Sequence, residues 1–77
     1  MIGFNITRYH NGKCESVDHN VREYATEREA IEGARKYAEY WKYHFHADMM
    51  NTELGAVLYY ENGDDRRLIY YEIKKWI

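Results

Sequence analysis

Thr26-Glu27-Arg28-Glu29-Ala30-Ile31-Glu32-Gly33-Ala34-Arg35-Lys36-Tyr37-Ala38-Glu39-Tyr40-Trp41-Lys42-Tyr43-His44-Phe45-His46 is the stretch that decides the fold. It opens with Thr26 and Glu29 at capping-box spacing, which places the threonine hydroxyl to accept from a backbone N–H of the first turn. Ile31, Ala34, Ala38, Trp41 and Phe45 then recur at steps of three and four, the stripe of an amphipathic helix. The spacing predicts a helix from about Glu27 to about His46, roughly 30 Å long. Gly33 inside it costs up to about 1 kcal/mol relative to alanine, and a close approach of the helix to the sheet would explain its presence. At about 100° per residue, Tyr40 and Tyr43 point away from the stripe into solvent, while Tyr37 sits at its border.

Strand patterns lie on both sides. Ile2, Phe4 and Ile6 alternate with Gly3, Asn5 and Thr7, and the Asn11-Gly12 pair after His10 is a strong hairpin signal. Folding the chain there sets Arg8 opposite Glu15, Ile6 opposite Val17 and Ile2 opposite Val21. A longer loop with a strand nearer Val17 to Tyr24 is the alternative. Ala47 to Glu53 reads as a polar link. Beyond it, Leu54 to Glu61 and Arg66 to Ile77 form a second hairpin around Asn62-Gly63-Asp64-Asp65. Its register sets Glu61 opposite Arg66, Leu58 opposite Ile69, Ala56 opposite Tyr71 and Leu54 opposite Ile73. The last three pairs make one apolar inner face.

The expectation is an α+β domain spanning residues 1–77, of order β-β-α-β-β. One antiparallel sheet of about four strands carries a single long helix on one face, with the strand order left open. The composition fits an ordinary globular chain, with 45% hydrophobic and 31% charged residues. A net charge of −2 disfavours nonspecific binding to a nucleic-acid backbone and falls far short of nucleic-acid mimicry. The lone Cys14 suits a reducing compartment, and no signal-peptide pattern or long apolar run occurs, so a cytoplasmic protein without a membrane segment is expected.

Nine tyrosines, two tryptophans and two phenylalanines are more aromatic residues than one core of this size can absorb, and they occur on both faces of the second hairpin. Val57, Tyr59, Leu68 and Tyr70 fall on the face opposite the inner one, which would be polar if it only met water. Tyrosine brings large apolar area and a polar tip at low entropy cost, as suits partner contact. These four are the first candidates for partner binding. Tyr40 and Tyr43 on the helix are the second, and Glu61, Asp64 and Asp65 at the hairpin tip are candidate acids for meeting a basic partner. Cross-strand stabilisation and ordinary surface exposure are the competing explanations.

No catalytic residue and no metal ligand is assigned, and no cofactor is expected. His10, His19, His44 and His46 lack zinc-site spacing, and His44 and His46 fall on different sides of a helix. Cys14, opposite Tyr9, has no evident base. Arg66-Arg67 and Lys74-Lys75 among Tyr70, Tyr71 and Trp76 could instead serve single-stranded nucleic acid.

Thr26, Glu29, Ala30 and Ala34 match a Thr-x-x-Glu-Ala-x-x-x-Ala pattern, and with it the stretch resembles the strand-to-helix junction of small bacterial and phage β-β-α-β-β proteins. In size, tyrosine content and mild acidity the chain also resembles phage-encoded inhibitors of bacterial defence, anti-CRISPR proteins among them. The resemblance implies a non-enzymatic inhibitor that occludes a larger protein or ribonucleoprotein complex in the host cytosol. A small nucleic-acid-binding or regulatory domain and a homodimeric structural module are the alternatives.

Overall fold

The computed structural model describes residues 1–74. It is α+β, with one helix, α1 (Glu27–Phe45), and six strands: β1 (Ile2–His10), β2 (Lys13–Asp18), β3 (Glu23–Tyr24), β4 (Asp48–Thr52), β5 (Gly55–Asn62) and β6 (Asp65–Ile73). The sheet order is β2-β1-β6-β5-β4, and the short β3 pairs with the start of β1. All pairings are antiparallel. Lys75, Trp76 and Ile77, which the sequence reading included in the last strand, lie outside the described residues.

The helix begins where the capping residues predict. Thr26 is extended (φ −128°, ψ 158°), and its Oγ1 accepts the backbone N–H of Glu29 at 3.2 Å. The helix ends at His46, whose left-handed backbone (φ 54°) closes the last turn onto the Lys42 carbonyl. Its buried line is Ala30, Ala34 and Ala38, so the expected stripe is corrected toward its small members. Ile31, Trp41 and Phe45 are only half-buried and flank that line. Small residues at i, i+4 and i+8 let the helix axis approach the sheet, and the large side chains close the sides.

Gly33 has a specific cause. A Cβ there would collide with the Tyr24 Oη, because the Tyr24 ring from β3 rests against the helix at this turn. The contact partner is thus one side chain of a two-residue strand.

The second hairpin keeps the expected register, with Glu61 opposite Arg66, Leu58 opposite Ile69 and Ala56 opposite Tyr71. Its turn is tighter than expected, since Asn62 already pairs with Asp65 around Gly63-Asp64. The first hairpin turns at Asn11-Gly12, both at positive φ, with Tyr9 opposite Cys14 as expected. An irregularity between Arg8 and Tyr9 then shifts the pairing by one residue, so Arg8 faces Ser16, Thr7 faces Val17 and Ile6 faces Asp18. A bulge reverses every side chain beyond it. Val17 accordingly leaves the inner face and stands 38% exposed.

Two further corrections concern segments without clear periodicity. Ala47 to Glu53 is largely strand, since Asp48–Thr52 forms β4 along β5. The chain after β2 returns to β1 as β3, helped by Val21 N–H donating to the Phe4 carbonyl at 2.9 Å. The sheet thus has six strands where about four were expected.

The core lies between helix and sheet. Phe4, Ile6, Ala56, Leu58, Ile69, Tyr71 and Ile73 from the strands meet the helical alanines. Tyr37 packs against both Phe4 and Tyr71, at 5.4 and 5.8 Å between ring centroids, and Phe45 stacks on Tyr60 at 5.2 Å. Burial pushes the Tyr71 phenol above its ordinary range. Arg35 ties the helix to the β4–β5 turn, donating to the Gly55 carbonyl at 3.0 Å and the Thr52 carbonyl at 2.8 Å.

Thr26→Ala removes the N-cap acceptor and is expected to lower stability by about 0.5–2 kcal/mol, read as a denaturation midpoint. Gly33→Ala is expected to stabilise by up to about 1 kcal/mol in a Tyr24→Ala background, the full helix-propensity gain. In the wild-type background the added methyl displaces the Tyr24 ring, and that gain is lost. Equal effects in both backgrounds would contradict the contact.

Candidate interaction surface

A sheet has two faces, and here a single helix covers one. The residues of β1, β5 and β6 that alternate with the core set stand on the other face. Beside a polar row of Asn5, Glu72, Gly55 and Thr52, pairing across the strands aligns the central ones in two rows. One runs Val17, Thr7, Tyr70, Val57, Met50, and the other Cys14, Tyr9, Leu68, Tyr59, Asp48. Among the described residues, no element packs over these rows.

All four sheet candidates from the sequence, Val57, Tyr59, Leu68 and Tyr70, therefore share one surface. The structure adds Tyr9, whose ring meets that of Tyr70 edge-on at 5.7 Å, together with Val17 and Met50. Met50 is 67% exposed and Tyr59 is 37% exposed; Val57, Leu68 and Tyr70 are half-buried by one another. Tyr9 was missed because only the long-range pairing of β1 with β6 brings it to Leu68. Met50 was missed because its segment shows no alternation long enough to read as a strand.

The charged residues at the hairpin tip do not act together. Glu61 stays on the open face, where it accepts from the Tyr59 hydroxyl and lies 3.7 Å from the Arg66 guanidinium. That hydrogen bond, with burial and the Glu61 charge behind it, raises the Tyr59 pKa. Asp64 is exposed in the turn. Asp65 belongs to the opposite side, where its carboxylate lies 2.9 Å from His10 Nε2. His10 Nδ1 lies 3.8 Å from Glu15, which in turn lies 3.3 Å from Arg67. Asn11 locks the two turns together: its N–H donates to the Arg66 carbonyl and its Oδ1 accepts the Arg66 N–H, both at 2.8 Å.

Tyr40 and Tyr43 are exposed on the helix, 67% and 68%, as the helical phase predicts. They belong to the helical layer and form no common site with Tyr59 and Tyr70. Tyr40 stands edge-on to Trp41 and lines an open groove of about 600 Å³ between the helix and the β3 segment. Arg22, Lys36, Glu29 and Glu32 line the same groove, so its charge is mixed.

The four histidines are dispersed. His10 joins the hairpins, His44 packs edge-on to Trp41 at 5.0 Å, His46 caps the helix, and His19 lies in the loop after β2. Among the described residues, no group of three or more His, Cys, Asp or Glu could hold a metal ion, and no helix is long and apolar enough to cross a membrane. No protein-family model, curated protein or solved structure matches the chain.

The His10–Asp65 contact predicts a pH effect. The hydrogen bond and charge of His10, with a smaller contribution from Arg67, lower the Asp65 pKa against the opposing effect of burial. A depressed folded-state pKa stabilises the fold above the unfolded aspartate value of about 3.9, and this is lost as pH falls through the folded value. His10→Ala is expected to raise the Asp65 pKa, followed by NMR titration of its carboxyl carbon. An unchanged titration would show that the contact is absent in solution.

Proposed function

We propose that this protein is a small non-enzymatic binding module that inhibits a larger macromolecular assembly by steric occlusion, using its open sheet face as the contact surface. The observation that carries the reading is the pair of apolar rows, Tyr9, Leu68 and Tyr59 beside Tyr70, Val57 and Met50, left uncovered by the single helix. Tyrosine anchors of this kind dominate binding energy at protein interfaces. Asp48 faces Tyr59 across the strands and Glu61, which also lies 3.7 Å from Arg66, accepts its hydroxyl, so Tyr59 stands between two acids. Acids beside aromatic anchors suit a partner surface rich in arginine and lysine, such as one that normally holds nucleic acid.

The most concrete form of the proposal is a phage-encoded inhibitor of a bacterial defence complex, of the anti-CRISPR type and active in the host cytosol. CRISPR effectors hold guide and target in positively charged channels, which matches that partner chemistry. Direct nucleic-acid binding receives less support, because Arg66 is drawn to Glu61 and Arg67 to Glu15. Lys75 lies outside the described residues.

Tyr59→Ala combined with Tyr70→Ala is the test. The variant is expected to keep its circular dichroism and lose up to about 1 kcal/mol of stability per cross-strand pair. Its affinity for the partner is expected to weaken by about 2 kcal/mol or more. In target-cleavage assays across a panel of CRISPR effector complexes, the wild type should block at least one and the variant should not. A folded double variant that binds and inhibits as the wild type does would remove the open face from consideration and shift attention to Tyr40 and Tyr43.

A further inference from the structure

We propose that the edge of β4, with which no second strand pairs among the described residues, pairs with the same edge of a second copy, joining two sheets into one continuous sheet. The inference arises from the two edges of the sheet and does not depend on the identity of any other partner.

The edges differ in how they are protected. β2 carries Lys13, Glu15 and Asp18, and its pairing with β1 is broken by the irregularity at Arg8/Tyr9. Charges, above all lysine, and bulges are the devices that keep an edge strand from pairing with another chain. β4 has neither. Its residues, Asp48, Met49, Met50, Asn51 and Thr52, run in unbroken register along β5, with no lysine, no proline and one charge.

The polar groups that point outward follow from the ladder. Ile73 N–H donates to the Leu54 carbonyl at 3.0 Å, which sets Leu54 toward β6. Antiparallel ladders alternate, so Gly55, Val57 and Tyr59 direct their backbone groups toward β4, opposite Thr52, Met50 and Asp48. The N–H and C=O groups of Met49 and Asn51 then point away from the sheet.

Those groups match a two-fold related copy. In the antiparallel register centred on Met50, Met49 of one copy exchanges both backbone bonds with Asn51 of the other, and Asn51 does so with Met49. Met50 meets itself at the intervening pair, where side chains approach closest. Asp48, the one charged residue, faces Thr52 rather than its own counterpart. Only this register overlaps all five residues of the strand. Self-complementarity of charge and hydrogen bonding favours a second copy over an unrelated strand. The axis stands perpendicular to the sheet, so both open faces lie on one side, and each row that ends at Met50 continues into the other copy.

Light scattering and sedimentation velocity on the full chain, from micromolar to millimolar concentration, test this. The wild type should approach twice the monomer mass. Asn51→Pro removes an outward N–H at a position where an edge strand tolerates proline, and should remain monomeric with unchanged circular dichroism. Met50→Lys, which sets two charges against each other at the axis, should do the same by a different route. The amides of Met49 and Asn51 should gain hydrogen-exchange protection as concentration rises. A wild type that stays monomeric throughout would overturn the proposal. So would a dimer that survives both variants, or one in which those two amides exchange freely. Tyr59→Ala with Tyr70→Ala should leave this dimer intact, which separates its failure from failure of the partner-binding surface.

Discussion

The antiparallel pairing of β1 with β6 is the constraint on which the remainder of the structure depends. Phe4 to His10 run alongside Ile73 to Arg67 without interruption. Each terminal hairpin alone would be marginal in water. Joined along this line, they present Phe4, Ile6, Leu58, Ile69, Tyr71 and Ile73 as one apolar surface broad enough for the helix. The same pairing brings the two hairpin turns together, where Asn11 brackets the backbone of Arg66 and His10 meets Asp65.

From one sheet and one helix follows an asymmetry. The helix approaches on its alanine line and closes the inner face, while the outer face has no cover among the described residues. Such a face could have been made polar at little cost to the fold. Instead the register assembles Tyr9, Leu68, Tyr59, Tyr70, Val57 and Met50 there. Mutual contact, as between Tyr9 and Tyr70, accounts for part of this arrangement. It does not account for Met50, which faces solvent at the edge of the row. Contact with another molecule, as proposed above, would account for the whole row.

The helix and the second hairpin were readable in the sequence because their determinants are local. Thr26 and Glu29 cap within one turn, and the Glu61–Arg66 register needs only the residues around a tight turn. β3 was readable only as the far end of the alternative strand from Val17 to Tyr24, and β4 was not readable. The first is two residues held by β1, and the second is a short polar stretch that becomes a strand only because β5 lies beside it. The shift at Arg8/Tyr9 is invisible to alternation, so Val17 was placed on the wrong face. The role of Gly33 was legible as a close approach, but its partner, Tyr24, depends on the path of the loop before it. For the candidate surface, the β5 and β6 residues were legible from alternation, whereas Tyr9 and Met50 required the long-range pairings. The acidic tip divided because Asp65 follows the inward parity of β6 and Glu61 the outward parity of β5.

Hydroxyl-radical footprinting of the isolated protein, followed by the same experiment with a bound partner, tests the central claim most directly. Tyr59 and Met50 should be modified rapidly in the free monomer, at concentrations too low for pairing of two copies, Tyr9, Leu68 and Tyr70 at intermediate rates, and Tyr71 and Phe4 slowly. The partner should protect the first five and leave the exposed Tyr40 and Tyr43 unchanged. Slow modification of Tyr59 in the free monomer, or partner protection confined to Tyr40 and Tyr43, would contradict an open sheet face that serves as the contact surface.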